Sequence, residues 1–253
     1  MNEGHVIHAL VGALSDPFDS CHMGVTVENV ASRWKILSEE QDQMAVESHQ
    51  RAQRATDEGY FKEQVLPISI KQRKQMISFE KDEHIRSDAT TESMAKLRTV
   101  FKEDGSVTAG KGSGLNDAAS AVILMELSEA EKGGKEILGR LVGYEHSGVV
   151  PKYIGIGPVP AIQKCLKIIG LTVKDMNVIE LNEAFAAQAC AVSRQLNIDP
   201  ARVNPNGGAN ALGHPVGATG AIIMTKLIHE LHRINGRYGM ACLLYTSPSP
   251  RDS

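Results

Sequence analysis

Apolar and polar positions follow two rhythms along this chain, and their alternation lays out its elements. Residues 1 to 24 carry no long periodic pattern and end in Cys21-His22-Met23-Gly24. Between residues 38 and 58, Met44, Ala45, Ala52 and Ala55 form a sparse stripe at helical spacing among charges. It predicts a solvated structural helix, opened by a Ser38–Gln41 capping box and ended by Gly59. Val65 to Ile70 reads as a strand, and the charge run from Lys71 to Lys81 as a solvated face. Ala118 to Met125 is an apolar run long enough for a buried strand. Ser128 and Glu131 form a capping box that opens a short helix closed by Gly133 and Gly134. Leu138 to Tyr144 is strand-like. A helix follows from about Pro160 to Gly170, with Cys165 a core cysteine in its apolar part. Val178 to Leu181 is a strand, 183 to 196 and 218 to 234 are helices, and Tyr238 to Leu244 is a last apolar strand. Strand, helix, loop, helix, strand predicts an α/β domain. It sets Asn182 at the C-terminal end of a strand, where such sheets bind ligands.

Composition narrows the class. A chain of 253 residues with 42% hydrophobic positions can bury a sizeable core, as one large domain or two small ones. A formal net charge of -3 offers no basic patch, so no nucleic-acid partner is expected. No apolar stretch reaches membrane-spanning length, and the first residues lack the pattern of a signal peptide, so no membrane association is expected. The 4 cysteines, Cys21, Cys165, Cys190 and Cys242, form no C-x-x-C. They suggest neither a disulfide framework nor a zinc site, so no metal is expected and the compartment is read as reducing and intracellular. The cytoplasm is the expected location, with mitochondrion and peroxisome as alternatives.

Candidate chemistry concentrates between residues 182 and 220. Asn182-Glu183-Ala184-Phe185-Ala186-Ala187 is followed by a glycine-rich run from Asn206 to Gly220 that includes Gly213-His214-Pro215. Such a run lets backbone approach something closely, and His214 is its only ionisable side chain. Pro215 restricts the residue before it, and a pinned imidazole suits general acid/base work. Two other glycine motifs fail. Gly105 to Gly112 nearly spells a phosphate-binding loop, but Gly112 stands where a magnesium-binding Ser or Thr belongs. Gly155-Ile156-Gly157-Pro158-Val159-Pro160 lacks the third glycine of a dinucleotide fingerprint.

The two clusters together resemble the thiolase family, which carries an N-E-A-F-A block and, some twenty-odd residues later, N-x-G-G-A-x-A-x-G-H-P-x-G-x-[ST]-G. The resemblance runs from about residue 14 to about residue 243. It implies a thiolase-like α/β fold, whose full form packs two similar βαβαβαβ halves as five layers. It implies acyl transfer between CoA thioesters: condensation of two acetyl-CoA to acetoacetyl-CoA, or the reverse thiolysis. Acyl-CoA and CoA are then the partners, no cofactor beyond the thioester is implied, and the family assembles as homodimers or homotetramers. His214 becomes the histidine that activates the nucleophile and helps form an oxyanion hole, which Asn182 completes by holding a water. His22 and Met23, in the H-M-G segment of short-chain members, line the channel for the pantetheine arm and acyl group. Arg86 matches the arginine that binds the adenine nucleotide, and Ser93 and Phe101 match further positions of that CoA-binding region. Thr108-Ala109-Gly110-Lys111-Gly112-Ser113-Gly114 matches a T-A-G-N-x-S-G turn, so Ala109 and Ser113 contact pantetheine, while Lys111 departs from the usual asparagine. Phe185, in the first block, joins the substrate-binding set.

The resemblance divides the chain into a CoA-binding loop domain over 1–115, a strand and helix of the family's first half over 116–137, and a C-terminal domain over 138–244. The family's nucleophilic cysteine lies well upstream of H-M-G, and only 21 residues precede His22. The second catalytic cysteine belongs to C-x-G-G-G-x-G after the last strand, where this chain has Leu244; Cys242 falls two residues early. The tail, 245–253, fits no part of the family and is read as foreign sequence that packs against nothing. The chain is thus expected to be an inactive fragment. Rival readings are a β-oxidation thiolase for longer chains, which His22-Met23 disfavours, and a ketoacyl synthase, whose N-x-F-G-F-G-G is missing. A third is a non-catalytic CoA-binding or pairing protein, which the missing cysteines support.

Overall fold

The computed structural model describes residues 9–244. The N-terminal part opens with a short helix α1 (Ala9–Ala13) and a small antiparallel pair, β1 (Ser15–Asp16) and β2 (Cys21–His22). Helices α2 (Met23–Trp34) and α3 (Ser38–Asp57) follow, and each packs on the later helix over residues 186–196. A hairpin of β3 (Ile68–Gln72) and β4 (Gln75–Phe79) projects with almost every residue exposed. Short helices α4 (Thr91–Met94) and α5 (Leu127–Lys132) follow, then a 3-10 turn over Pro151–Ile156 and helix α6 (Pro158–Ile169). The C-terminal part runs β5 (Val178–Leu181), α7 (Ala186–Leu196), α8 (Ala209–Leu212), α9 (Thr219–Arg233) and β6 (Gly239–Cys242), with β6 parallel to β5. No helix among the described residues is long and apolar enough to cross a membrane.

Helix α7 lies between two cores. Ala189 and Val192 face Ile162, Leu166, Ile179, Leu181 and Cys242, the layer shared with α6 and the sheet. Ala187 and Ala191 face Val27, Val30 and Ala31 of α2. Alanines on both sides let two layers approach one helix, since little side chain stands between the backbones. Helix α2 has no counterpart among the predicted elements. Val25, Thr26, Val27 and Val30 lower its intrinsic propensity, and the buried stripe on α7 supplies the stability instead.

Several expectations need correction. Ala118–Met125 and Leu138–Tyr144 are not strands: no strand lies beside either among the described residues, and Ile123 is 89% exposed. Apolar composition suits a buried strand, but the strand forms only where neighbours take its backbone hydrogen bonds and cover its faces. The strand predicted at Val65–Ile70 begins at Ile68 and continues into the charge run. Helix α3 is opened by Glu40, which accepts the Leu37 N–H at 2.8 Å, rather than by a Ser38–Gln41 box. It is not merely solvated, since Gln41, Asp42, Ala45, Ser48, His49 and Ala52 are buried. Helix α5 has no Ser128–Glu131 box; its N-cap is Glu126, which accepts from the Ser128 hydroxyl at 2.8 Å. Cys165 is half-buried rather than a core residue. Helix α7 starts at Ala186, because Ser113 N–H and Ala186 N–H bind the Ala184 and Lys111 carbonyls and hold 184–186 extended. The tail at 245–253 lies outside the described residues.

Two isoleucines test this account. Ile179→Ala, at 0% exposure in β5, is expected to cost about 2–5 kcal/mol of unfolding free energy. Ile123→Ala, at 89% exposure, should change it by less than about 0.5 kcal/mol. Urea titrations of both variants read the difference, and a comparable loss from Ile123→Ala would show that the 118–125 run is packed.

Candidate active site

Strand β5 delivers Asn182 and Glu183 to the interior at its C-terminal end. The Asn182 N–H extends the parallel ladder by one bond, donating to Cys242 O at 2.9 Å. On the other edge the Asn204 side chain imitates a strand, accepting from Leu181 N–H and donating to Leu181 O, both at 2.8 Å. The Glu183 carboxylate, 2% exposed, gathers donors from three directions. Asn204 Nδ2 lies at 2.6 Å, Ser48 Oγ of α3 at 2.7 Å and Asn210 N–H at 3.1 Å. Ser48 Oγ in turn accepts Gly208 N–H at 3.0 Å. The glycine-rich loop is therefore fixed residue by residue. Asn206 donates to Glu230 at 2.7 Å, and Gly207 O receives Lys226 Nζ at 2.6 Å. Lys226 is paired with Glu180 at 2.8 Å, and burial raises the Glu180 carboxyl above its usual range. Gly207 has φ +79°, and a β-carbon on Gly208 would lie 2.2 Å from the Glu183 carboxyl carbon. Gly208 is thus required by the carboxylate beneath it, and Gly207 by its φ and by the closeness of Ala52 and Ser48 O of α3, at 2.6 Å from an added β-carbon.

The loop ends by presenting His214. Gly213, at φ +90°, turns the chain against Asn116, and His214 N–H binds Gly114 O at 2.9 Å. His214 Nε2 stands 3.4 Å from Asn182 Nδ2, and Nδ1 stands 2.7 Å from Thr219 Oγ1. Burial holds the imidazole below the usual histidine value, so the ring is neutral at neutral pH. Asn182 is 2% exposed, and its Oδ1 has no protein hydrogen-bond partner among the described residues.

A second group lies where Gly112 pairs with Phe185. His22 caps α2 by accepting Gly24 N–H on Nδ1 at 2.9 Å, and its ring stacks on Phe101 at 4.7 Å. Phe101 meets Phe185 edge-on at 6.1 Å. Ser113 bonds the Ala184 carbonyl through both N–H and hydroxyl, each at 3.1 Å. His22, Phe101, Ser113 and Phe185 are thus brought together around the Asn182–Phe185 segment, with Met23 half-buried at the start of α2. Arg86, Ser93 and Ala109 are exposed. The Ser93 hydroxyl is engaged in capping α4 with Thr90, at 2.8 and 3.0 Å. Lys111, 1% exposed, sends its ammonium to Asp42 of α3 at 3.2 Å, so its departure from asparagine is absorbed in the interior. Among the described residues no cluster of three or more His, Cys, Asp or Glu is arranged for a metal ion.

Comparison with known proteins places the chain in a family. The family model described as Thiolase, N-terminal domain matches residues 2–128, and that described as Thiolase, C-terminal domain matches residues 135–248. The chain belongs to the thiolase family. The beta-ketothiolase BktB of Cupriavidus necator is 55% identical over 244 residues, covering 96% of this chain and 62% of that protein. The crystal structure of the Bacillus anthracis acetyl-CoA acetyltransferase superposes with a TM-score of 0.92 at 44% identity, over 96% of this chain and 62% of that one. The human mitochondrial 3-ketoacyl-CoA thiolase in complex with CoA gives 0.86 at 42% identity, over 96% and 62%. This thiolase chain therefore spans about three fifths of the length of those relatives.

Some residues that build the site escape a motif reading. Ser48 lies far from the two thiolase blocks, Asn204 stands two residues before the second, and nothing in the local sequence marks either as a partner of Glu183. Thr219 and Glu183 stand inside the blocks, where the [ST] and E letters were the signal. Two comparisons probe the arrangement. Gly208→Ala is expected to lose about 1–3 kcal/mol through collision with Glu183. Gly217→Ala, with nothing within 4 Å, should be near neutral in the same thermal melts. The second concerns His49, whose Nδ1 accepts Arg86 N–H at 3.1 Å. Burial first, then His84 and Arg86, hold its pKa at about 4 against an ordinary 6.5. The unfolded chain binds this proton at higher pH than the folded one, so the contribution is full above 6.5 and is lost as pH falls towards 4. His49→Gln should flatten the fall in urea midpoint across that window; an unchanged slope would put the titration elsewhere.

Proposed function

We propose that this chain carries the histidine–asparagine half of a thiolase acyl-transfer site, acting on acetyl-CoA and acetoacetyl-CoA. The single observation that carries the reading is Asn182 Nδ2 at 3.4 Å from His214 Nε2, beside an Asn182 oxygen that has no protein partner. In this reading the neutral His214 Nε2 takes the proton of a nucleophilic thiol and is then itself a donor to the thioester oxygen. Asn182 Oδ1 accepts from a water whose other proton faces the same oxygen. Two donors aimed at one developing oxyanion lower the barrier, because they need no reorganisation as charge builds. His22, Met23, Phe101, Ala109, Ser113 and Phe185 line the approach of the pantetheine arm and short acyl group, and Arg86 and Ser93 meet the nucleotide end. The support for CoA is the likeness to the human enzyme solved with CoA, together with the aromatic group beside Asn182. Residues 1–115 form the CoA-facing part, 116–137 belong with the family's first half and 138–244 carry the acid–base pair. Acyl transfer of this kind asks for no cofactor beyond the thioester, and pairing into dimers or tetramers belongs to the same reading. Thiolysis of longer 3-ketoacyl-CoA is the second reading, kept by the same human relative.

None of the chain's own thiols is poised as the nucleophile. Burial pushes Cys190 and Cys242 up to about 12, and Cys21 and Cys165 are also raised, burial again the largest cause. The purified chain, given acetoacetyl-CoA and free CoA, is therefore expected to show no loss of the ketoacyl species. Acetyl-CoA should nevertheless shift the His214 ring resonances in an NMR titration. Turnover abolished by His214→Ala would show that a nucleophile lies within the chain. Silence of the His214 signals at saturating acetyl-CoA would sink the assignment of the pair.

A further inference from the structure

His214 is held from behind as well as from the front. Thr219, the first residue of α9 and 3% exposed, sets Oγ1 2.7 Å from His214 Nδ1. The same hydroxyl lies 2.9 Å from the Pro215 carbonyl, four residues back. That carbonyl also takes Ala218 N–H and Thr219 N–H at 2.8 and 2.9 Å, a shared arrangement common where a helix begins. A hydroxyl owns one proton. Donated to Pro215, it leaves a lone pair facing Nδ1, and that contact is then a hydrogen bond only if Nδ1 carries a proton. In a neutral imidazole the other nitrogen, Nε2, then holds the lone pair. The opposite side of the ring agrees, since the group nearest Nε2 is Asn182 Nδ2, a donor, at 3.4 Å. Two groups on separate elements, the start of α9 and the end of β5, match one tautomer of the same ring.

We propose that Thr219 is a positioning residue that fixes His214 in the Nδ1–H tautomer and so leaves Nε2 as the nitrogen that takes up a proton. What Nε2 does with that proton rests on the acyl-transfer reading above; the tautomer does not. The opposite tautomer would carry its proton on Nε2 and could not act there as a base. Thr219 acts only through His214 and touches no reacting atom. A serine at the same position supplies the same hydroxyl, whereas valine keeps the shape and removes it.

The test is a long-range ¹H–¹⁵N correlation spectrum of the chain labelled with ¹⁵N at histidine, at neutral pH, with His214→Gln used to assign the ring. The two neutral tautomers give distinct patterns, because protonated and unprotonated ring nitrogens resonate far apart. The wild type and Thr219→Ser are expected to show the Nδ1–H pattern. Thr219→Val should lose it to a mixture of the two tautomers. An Nε2–H pattern in the wild type overturns the proposal, and so does an undiminished Nδ1–H pattern in a folded Thr219→Val. Should Thr219→Val fail to fold, Thr219→Ala, which also removes the hydroxyl, takes its place, and an undiminished Nδ1–H pattern there overturns the proposal in the same way. Failure of acetyl-CoA to shift His214 would remove the acyl-transfer reading and leave the tautomer standing, so the two failures are distinguishable.

Discussion

The buried Glu183 carboxylate is the constraint on which the site depends. A carboxylate at 2% exposure is tolerated only when its lone pairs are taken up, and Ser48, Asn204 and Asn210 take them. Those three come from a helix of the N-terminal part, from the strand-like turn beside β5 and from the glycine-rich loop. One side chain thus ties together segments more than a hundred residues apart in sequence. It also sits next to Asn182 in the chain, so the group that fixes the loop and the group that faces His214 leave the same strand end. Lys226, held by Glu180, and Glu230, which holds Asn206, repeat the device on the other side of the loop. Polar groups rather than an apolar core give this loop its single conformation.

Helix α7 transmits the arrangement to the rest of the molecule. Its first residues are pinned by the 111–113 segment, which α2 and α3 hold in place. Glu28 of α2 accepts Ser106 and Val107 N–H at 2.9 and 2.8 Å, and Asp42 of α3 receives the Lys111 ammonium. The aromatic group of His22, Phe101 and Phe185 is thereby set against the same backbone that carries Asn182. The two cores on either side of α7 are consequently one mechanical unit with the site, although their apolar contents are separate.

Several elements were legible in the sequence from period and boundary residues together. Val178–Leu181 reads as a strand and is one, and α3, α6 and α9 lie within a few residues of their predicted spans. Asn182 and His214 were legible as candidates because both stand in long, specific blocks. Two apolar runs, at 118–125 and 138–144, were misread, since composition reports what a segment could bury but not whether a neighbour is there to bury it. Helix α2 was missed for the opposite reason: its valines argue against a helix locally, and only packing on α7 decides in its favour. Ser48 and Asn204 were invisible because a hydrogen bond across 135 or 21 residues leaves no local trace.

The pairing of Lys111 with Asp42 bears on how this sequence could have diverged. Each charge is buried, at 1% and 4% exposure, and each is tolerable because the other is present. Asparagine at position 111 would leave an unpaired carboxylate in the interior, a loss of about 3–5 kcal/mol. Loss of Asp42 first would strand an ammonium at similar expense. Neither position can change alone without such a loss, so the two side chains are coupled through stability.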